Sequence, residues 1–174
     1  MRPPFVVEPL GGSHDRRGFT CGVEPLDRYF HELVTQDVRR RIANCFVAVD
    51  ASGAVAGFCT LSAAGLPMTD LPAEEARRLP RHPLLPACLI GRLAVATAAG
   101  GQGLGAALVV DAANRAMRAE PAIFALLVDA KDAAAARFYA HLGFRPLASR
   151  RFGFYLPVAE VARRIQAAHQ ASGR

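Results

Sequence analysis

Glycines at 101, 103 and 105 follow the apolar run Cys88-Leu-Ile-Gly-Arg-Leu-Ala-Val95 and open a helical run that ends near Arg118. Glycines so spaced let backbone N–H groups converge and let an anion approach without meeting a Cβ. A helix starting there adds its unpaired amides and the positive end of its dipole. The chemistry that suits this pattern is pyrophosphate binding, although a glycine-rich loop alone also fits a flexible turn. A P-loop would place Lys and then Ser or Thr after the last glycine, where Ala106 and Ala107 stand. A dinucleotide-binding fold would need an acid after the next strand, a place Asp129 could fill, but a loop this late in 174 residues leaves no room for the usual second half.

Other chemistries find less material. Four cysteines, Cys21, Cys45, Cys59 and Cys88, lie far apart with no C-x-x-C and no clustered histidines, so they read as buried reduced thiols and no metal site is expected. The net charge is +6, carried by 20 arginines and the single lysine Lys131 against 15 acids. Arginine forks pair with phosphates and carboxylates, so the surplus favours anionic partners without choosing between a nucleotide and a nucleic acid.

The elements that must position the loop follow from the hydrophobic pattern. At 52% apolar residues the chain is not disordered, and its length predicts one domain, 1–174, able to bury roughly 70% of its unfolded surface. The longest apolar stretch, 54–68, is interrupted by Gly57, Gly65 and Pro67, and the first residues lack the sustained apolar core of a secretory signal. A cytoplasmic protein without membrane contact is the expectation. Leu26, Tyr29, Phe30, Leu33, Val34 and Val38 recur at helical spacing and predict one amphipathic helix over 24–42. Cys45–Asp50 and Val55–Ala64 read as a hairpin around Asp50-Ala-Ser-Gly53. A short helix over 71–79, an extended approach at 83–86 and the strand 88–95 lead into the glycine loop. Beyond it come a strand at 123–128, a helix from Asp132 to His141 stopped by Gly143, strand-like pieces near 144–147 and 152–156, and a last helix over 158–168. Strands and helices so alternating make the fold class α/β or α+β.

Gly101-Gln-Gly-Leu-Gly105 after Arg92-Leu-Ala-Val95, with Ala136-Arg-Phe-Tyr-Ala-His-Leu-Gly-Phe144 some 30 residues on, resembles the GNAT family of acyl-CoA N-acetyltransferases. The resemblance implies a mixed, mostly antiparallel central sheet flanked by helices, with two strands splayed at the acetyl-CoA site. It also implies acetyl-CoA as cosubstrate, held by backbone at Leu93, Ala94 and Val95 and at Gly101, Gln102, Gly103, Leu104, Gly105 and Ala106, with Tyr139 beside the thiol. A phenol there can protonate or hydrogen-bond the leaving thiolate. Of the adjacent aromatics, Phe138 is expected in the core and Tyr139 at the chemistry, with His141 at the helix end. One departure is Ala98, where the family usually begins the loop with Gln or Arg. Another is the strand before the loop, which carries no carboxylate and leaves Asp129 and Asp132 as possible bases. An amine that needs little help fits this lack, because an α-amine near ~7.7–8.0 is partly free at neutral pH and a lysine near ~10.4 is not.

A narrower branch is resembled as well. Phe19-Thr-Cys-Gly-Val-Glu-Pro-Leu-Asp-Arg-Tyr-Phe30, Gln36-Asp-Val-Arg-Arg-Arg41, Thr60-Leu-Ser62, Leu79-Pro-Arg81 and Val128-Asp-Ala-Lys-Asp132 are similar to the acetyltransferase toxins of bacterial type II toxin–antitoxin systems. That likeness implies aminoacyl-tRNA as acceptor, arrest of translation, a ribbon-helix-helix antitoxin as partner and a homodimer. Arg39, Arg40 and Arg41, Arg77, Arg78 and Arg81, and Arg150 and Arg151 are then candidate phosphate contacts, although each group alone is more often a solvated face than a nucleic-acid site. Arg92, inside the strand, could orient the acceptor or the loop, or pair with a buried acid. Two alternatives stay open on the sequence: acetylation of a small-molecule or protein amine, and a degenerate, non-catalytic GNAT module.

Overall fold

A computed structural model describes residues 4–172. The seven strands are β1 (Val6–Pro9), β2 (Asn44–Val49), β3 (Val55–Pro67), β4 (Leu84–Val95), β5 (Ala125–Asp129), β6 (Arg145–Pro146) and β7 (Gly153–Pro157). They follow the sheet order β1-β2-β3-β4-β5-β7-β6, with antiparallel pairing of β1 with β2, β2 with β3, β5 with β7 and β6 with β7. The helices are α1 (Glu24–Arg28), α2 (Val34–Arg39), α3 (Ala73–Arg77), α4 (Leu104–Arg118), α5 (Ala133–His141) and α6 (Val158–Ser172). The chain forms two compact units, one of residues up to Ser62 with Ile90–Ala112, the other of Ala63–Leu89 with the residues from Ala113 on.

In the first unit the core is aromatic. Phe30 stacks on Phe58 at 4.3 Å and Phe19 meets both rings edge-on, at 4.9 and 5.5 Å. Such pairs add about 0.5–1.5 kcal/mol each to the burial of the rings. Val34, Cys45, Val47 and Ala94 close around them. The hairpin predicted at 45–64 is present, and Asp50 shapes its turn by accepting from the Ser52 amide (2.8 Å), the Ser52 hydroxyl (2.6 Å) and the Ala54 amide (3.0 Å). β3 is buried on both faces from Val55 to Leu61, which is why its sequence runs apolar without alternation.

Two features differ from the expectation. β1 pairs with β2 from Val6↔Val49 to Pro9↔Phe46, a four-residue edge strand too short to announce itself by alternation. The single helix predicted over 24–42 is instead α1 and α2 joined by a π-helical turn at Tyr29–Leu33; α2 ends at Arg39, and Arg41 just beyond it has φ +59°.

The second unit packs Leu66, Leu71, Leu85, Ala125, Leu127, Leu147 and Tyr155 together. Its short helix α3 is fixed by a polar clamp: Tyr155 donates to Glu75 Oε2 at 2.5 Å, and Arg145 reaches Glu75 Oε1 at 2.9 Å and Glu160 Oε1 at 3.0 Å. All four cysteines are reduced thiols, Cys45 and Cys59 buried and Cys21 and Cys88 half-buried. No helix among the described residues is long and apolar enough to cross a membrane.

Candidate functional site

The glycine loop is built where β4 ends. Val95 leads through a 3-10 turn at Thr97–Ala99 into Gly100–Gly103, and α4 begins at Leu104. Gly101 and Gly103 both sit at φ +75°, a conformation that a side chain disfavours, and a Cβ at either would meet open space. The approach to the loop is fixed from two sides, because the Ala96 amide donates to Ala56 O (2.8 Å) and the Thr97 amide to Thr20 O (2.9 Å). Gly57 on β3 supplies the closeness: a Cβ there would lie 3.0 Å from Ala94 O, 3.2 Å from a Leu108 methyl and 3.3 Å from a Leu104 methyl. Leu104 and Leu108 are buried and anchor the helix start, while Gly101, Gln102 and Gly103 remain exposed. In α4 the Ala107 amide bonds back to Gly103 O, so the amides of the turn before it lack an intrahelical acceptor. These amides stand at the positive end of a 15-residue helix, a place where the helix dipole favours an anion. Beside it on β4, Ala94 is buried and Leu93 and Val95 are half-buried.

In the second unit, Tyr139 lies on α5. Asp132 caps this helix by accepting from the Ala135 amide at 2.8 Å, while its other oxygen meets Lys131 Nζ at 2.5 Å. Tyr139 is 6% exposed and packs edge-on against Phe138 (5.1 Å) and Phe144 (5.3 Å). This corrects the expected core position of Phe138, since Tyr139 is the buried member of the pair and Phe138 only half-buried. His141 is exposed at the end of the helix, as expected.

The other two tyrosines donate to carboxylates. Burial and the bond to Glu75 push the Tyr155 hydroxyl up to about 12. Burial and the Asp37 carboxylate, which accepts from it at 2.9 Å, raise the Tyr29 hydroxyl above its ordinary range. Both candidate bases are also engaged: Asp129 is held by Arg150 at 3.1 and 3.3 Å, and Asp132 by its capping bond and Lys131.

Arg39, Arg40, Arg41, Arg77, Arg78, Arg81 and Arg151 are exposed, and Arg150 is exposed but paired with Asp129. Arg92 does not pair with a buried acid. Its guanidinium lies 3.6 Å from the centroid of the Tyr29 ring, a contact between distant segments that spacing could not reveal. Among the described residues no group of three or more His, Cys, Asp or Glu side chains could hold a metal ion.

A mostly antiparallel sheet whose central strand runs through a glycine loop into an amide-presenting helix defines the class of acyl-CoA-dependent acetyltransferases. The model of the acetyltransferase (GNAT) domain matches residues 41–146, and the chain belongs to that family, whose acyl donor is acetyl-CoA. It is similar to a Sinorhizobium fredii protein named "Probable toxin TacT", with 26% identity over 167 residues that span 90% of this chain and 92% of that one. Among solved structures it is similar to AtaT complexed with acetyl-methionyl-tRNAfMet, with a TM-score of 0.85 and 26% identity, over 92% of this chain and 99% of that one. It is also similar to a tyrosine-to-phenylalanine mutant of the toxin AtaT bound to the C-terminus of the antitoxin AtaR and acetyl-CoA. There the TM-score is 0.76 at 25% identity, over 91% of this chain and 96% of that one.

Proposed function

We propose that this acetyltransferase is a toxin that transfers acetyl from acetyl-CoA to the α-amine of aminoacyl-tRNA and so blocks translation. The observation that carries the reading is the near full-length similarity to AtaT in complex with an acetylated aminoacyl-tRNA. The engagement of Asp129 and Asp132 supports it from the structure, because an acceptor amine already partly unprotonated at neutral pH needs no dedicated carboxylate base.

In the proposed mechanism the backbone amides of Gly101–Ala106, with the backbone of Leu93, Ala94 and Val95, hold the cosubstrate. The amine nitrogen forms its bond to the thioester carbonyl carbon, the C–S bond breaks, and the proton lost by the amine balances the one taken by the thiolate. Tyr139 delivers or shares that proton at sulfur. Its assignment is supported by the replacement of a tyrosine by phenylalanine in AtaT. Arg39, Arg40, Arg77, Arg78 and Arg92 supply charge for the tRNA backbone. The family match runs through residues of both units, which supports the whole chain, 1–174, working as one acetyltransferase domain. A cytoplasmic homodimer restrained by a ribbon-helix-helix antitoxin completes the proposal, and the antitoxin-bound AtaT structure supports an antitoxin partner.

The experiment is transfer of labelled acetyl from acetyl-CoA to a charged total tRNA pool, with uncharged tRNA as control. Label on the charged pool alone, released when the ester is hydrolysed, is the expected result. Transfer to small amines or peptides with none to charged tRNA would overturn the toxin reading and leave the acetyltransferase intact.

A further inference from the structure

Arg92 is half-buried on β4, and its guanidinium lies 3.6 Å from the Tyr29 ring centroid. Among the described residues no carboxylate pairs with it. No buried side-chain nitrogen among those residues lacks a partner, so the donors of Arg92 that find none in the protein reach solvent. A guanidinium stacked on an aromatic face keeps its in-plane N–H fork turned outward and gives up little freedom when that fork is used.

The support beneath it is itself fixed. Tyr29 is 3% exposed and its hydroxyl donates to Asp37 Oδ2 at 2.9 Å, across eight residues of helix. In an unbroken α-helix, residues eight apart are turned about 80° from one another. The π turn at Tyr29–Leu33 takes up one extra residue, about 100° of rotation, and so returns Asp37 to the stripe that carries Tyr29. Turn, ring and carboxylate thus form one mount for Arg92, which stands about 10 Å along β4 from Val95.

We propose that Tyr29 and Asp37 are positioning residues that hold Arg92 as a planar receptor for one phosphate of the acceptor. This is a single oriented contact, unlike the exposed arginines of α2 and α3. It rests on the aminoacyl-tRNA reading above. In that acceptor the α-carboxyl is esterified, so the anions common to every charged tRNA are phosphates, which a guanidinium fork binds in bidentate fashion.

The test uses the full chain and charged tRNA, measuring KM for each substrate and kcat for wild type, R92A, R92K, Y29F, Y29L and the double variant R92A/Y29L. R92A is expected to raise KM for charged tRNA about tenfold, with acetyl-CoA affinity kept. Y29L reproduces most of that rise, the double variant is no worse than R92A alone, and Y29F falls between wild type and Y29L. A merely structural Tyr29 would add its effect to that of R92A and would lower the thermal midpoint without the KM split. Should Y29L fail to fold, R92K and Y29F decide: wild-type KM in R92K shows that a point charge suffices and overturns the planar receptor. An unchanged KM in R92A with an active wild type overturns this inference alone, whereas no transfer to charged tRNA by wild type overturns the reading beneath it too.

Discussion

Tyr139 and Tyr155 are both buried phenols, and we propose different work for them. The Tyr155 hydroxyl is bound to Glu75 and held protonated up to about 12, so at neutral pH it is a fixed donor that secures α3. Tyr139 is surrounded by the rings of Phe138 and Phe144 on a capped helix. Replacing Tyr139 by Phe keeps the packing and removes only the hydroxyl. We expect kcat for acetyl transfer to fall roughly hundredfold, within the range for loss of a general acid, while calorimetric affinity for acetyl-CoA stays near wild type. Tyr155→Phe should do the reverse, lowering the thermal midpoint and sparing kcat. Equal kcat in wild type and Tyr139→Phe would remove Tyr139 from the chemistry. The residue type at 139 was legible from the motif around it, but its burial relative to Phe138 was not. Two adjacent aromatics on a short helix point about 100° apart, and only the packed sheet determines which one turns inward.

At the scale of elements, two glycines test the proposed cofactor cradle by different physics. Gly57 has no space for a Cβ beside Ala94 O and the Leu104 and Leu108 methyls, so Gly57→Val should destabilise the chain by about 1–3 kcal/mol in urea unfolding. Gly103 has space but a left-handed backbone, so Gly103→Ala should cost roughly 1–2 kcal/mol by strain or be relieved by a change of loop path. In both variants acetyl-CoA should bind more weakly in calorimetry, and wild-type affinity in both would dissociate the loop from the cofactor. The sequence made the loop, the 45–64 hairpin and the Asp132 cap readable because each is a local signal: glycine spacing, turn chemistry and a capping side chain. It did not reveal β1, whose four residues depend on pairing with β2, nor the π turn, whose Tyr29 and Phe30 both lie in the aromatic core. Gly57 read only as a break in an apolar stretch, since the helix start it accommodates lies far along the chain.

Over the whole molecule, the surplus of +6 is carried almost entirely by arginine, with groups exposed on α2 and around α3. Association with charged tRNA should therefore weaken as salt rises, and Arg77→Ala with Arg78→Ala should reduce the slope of log K against log salt by about two. A filter-binding series across salt concentrations checks this, and an unchanged slope would place the tRNA elsewhere. The same composition has a second effect. An enzyme that acetylates amines is surrounded by its own copies, and each side-chain ammonium on its surface is a potential site of self-modification. This chain offers only one, Lys131, and that one is held by the carboxylate that caps α5. Guanidinium groups, protonated at every physiological pH, are inert to thioesters, so the chain can keep its cationic surface in the presence of its own acyl donor. For the experimenter, amine-directed coupling has one side-chain address besides the terminal amine, and a label at Lys131 would report directly on the start of the helix that carries Tyr139.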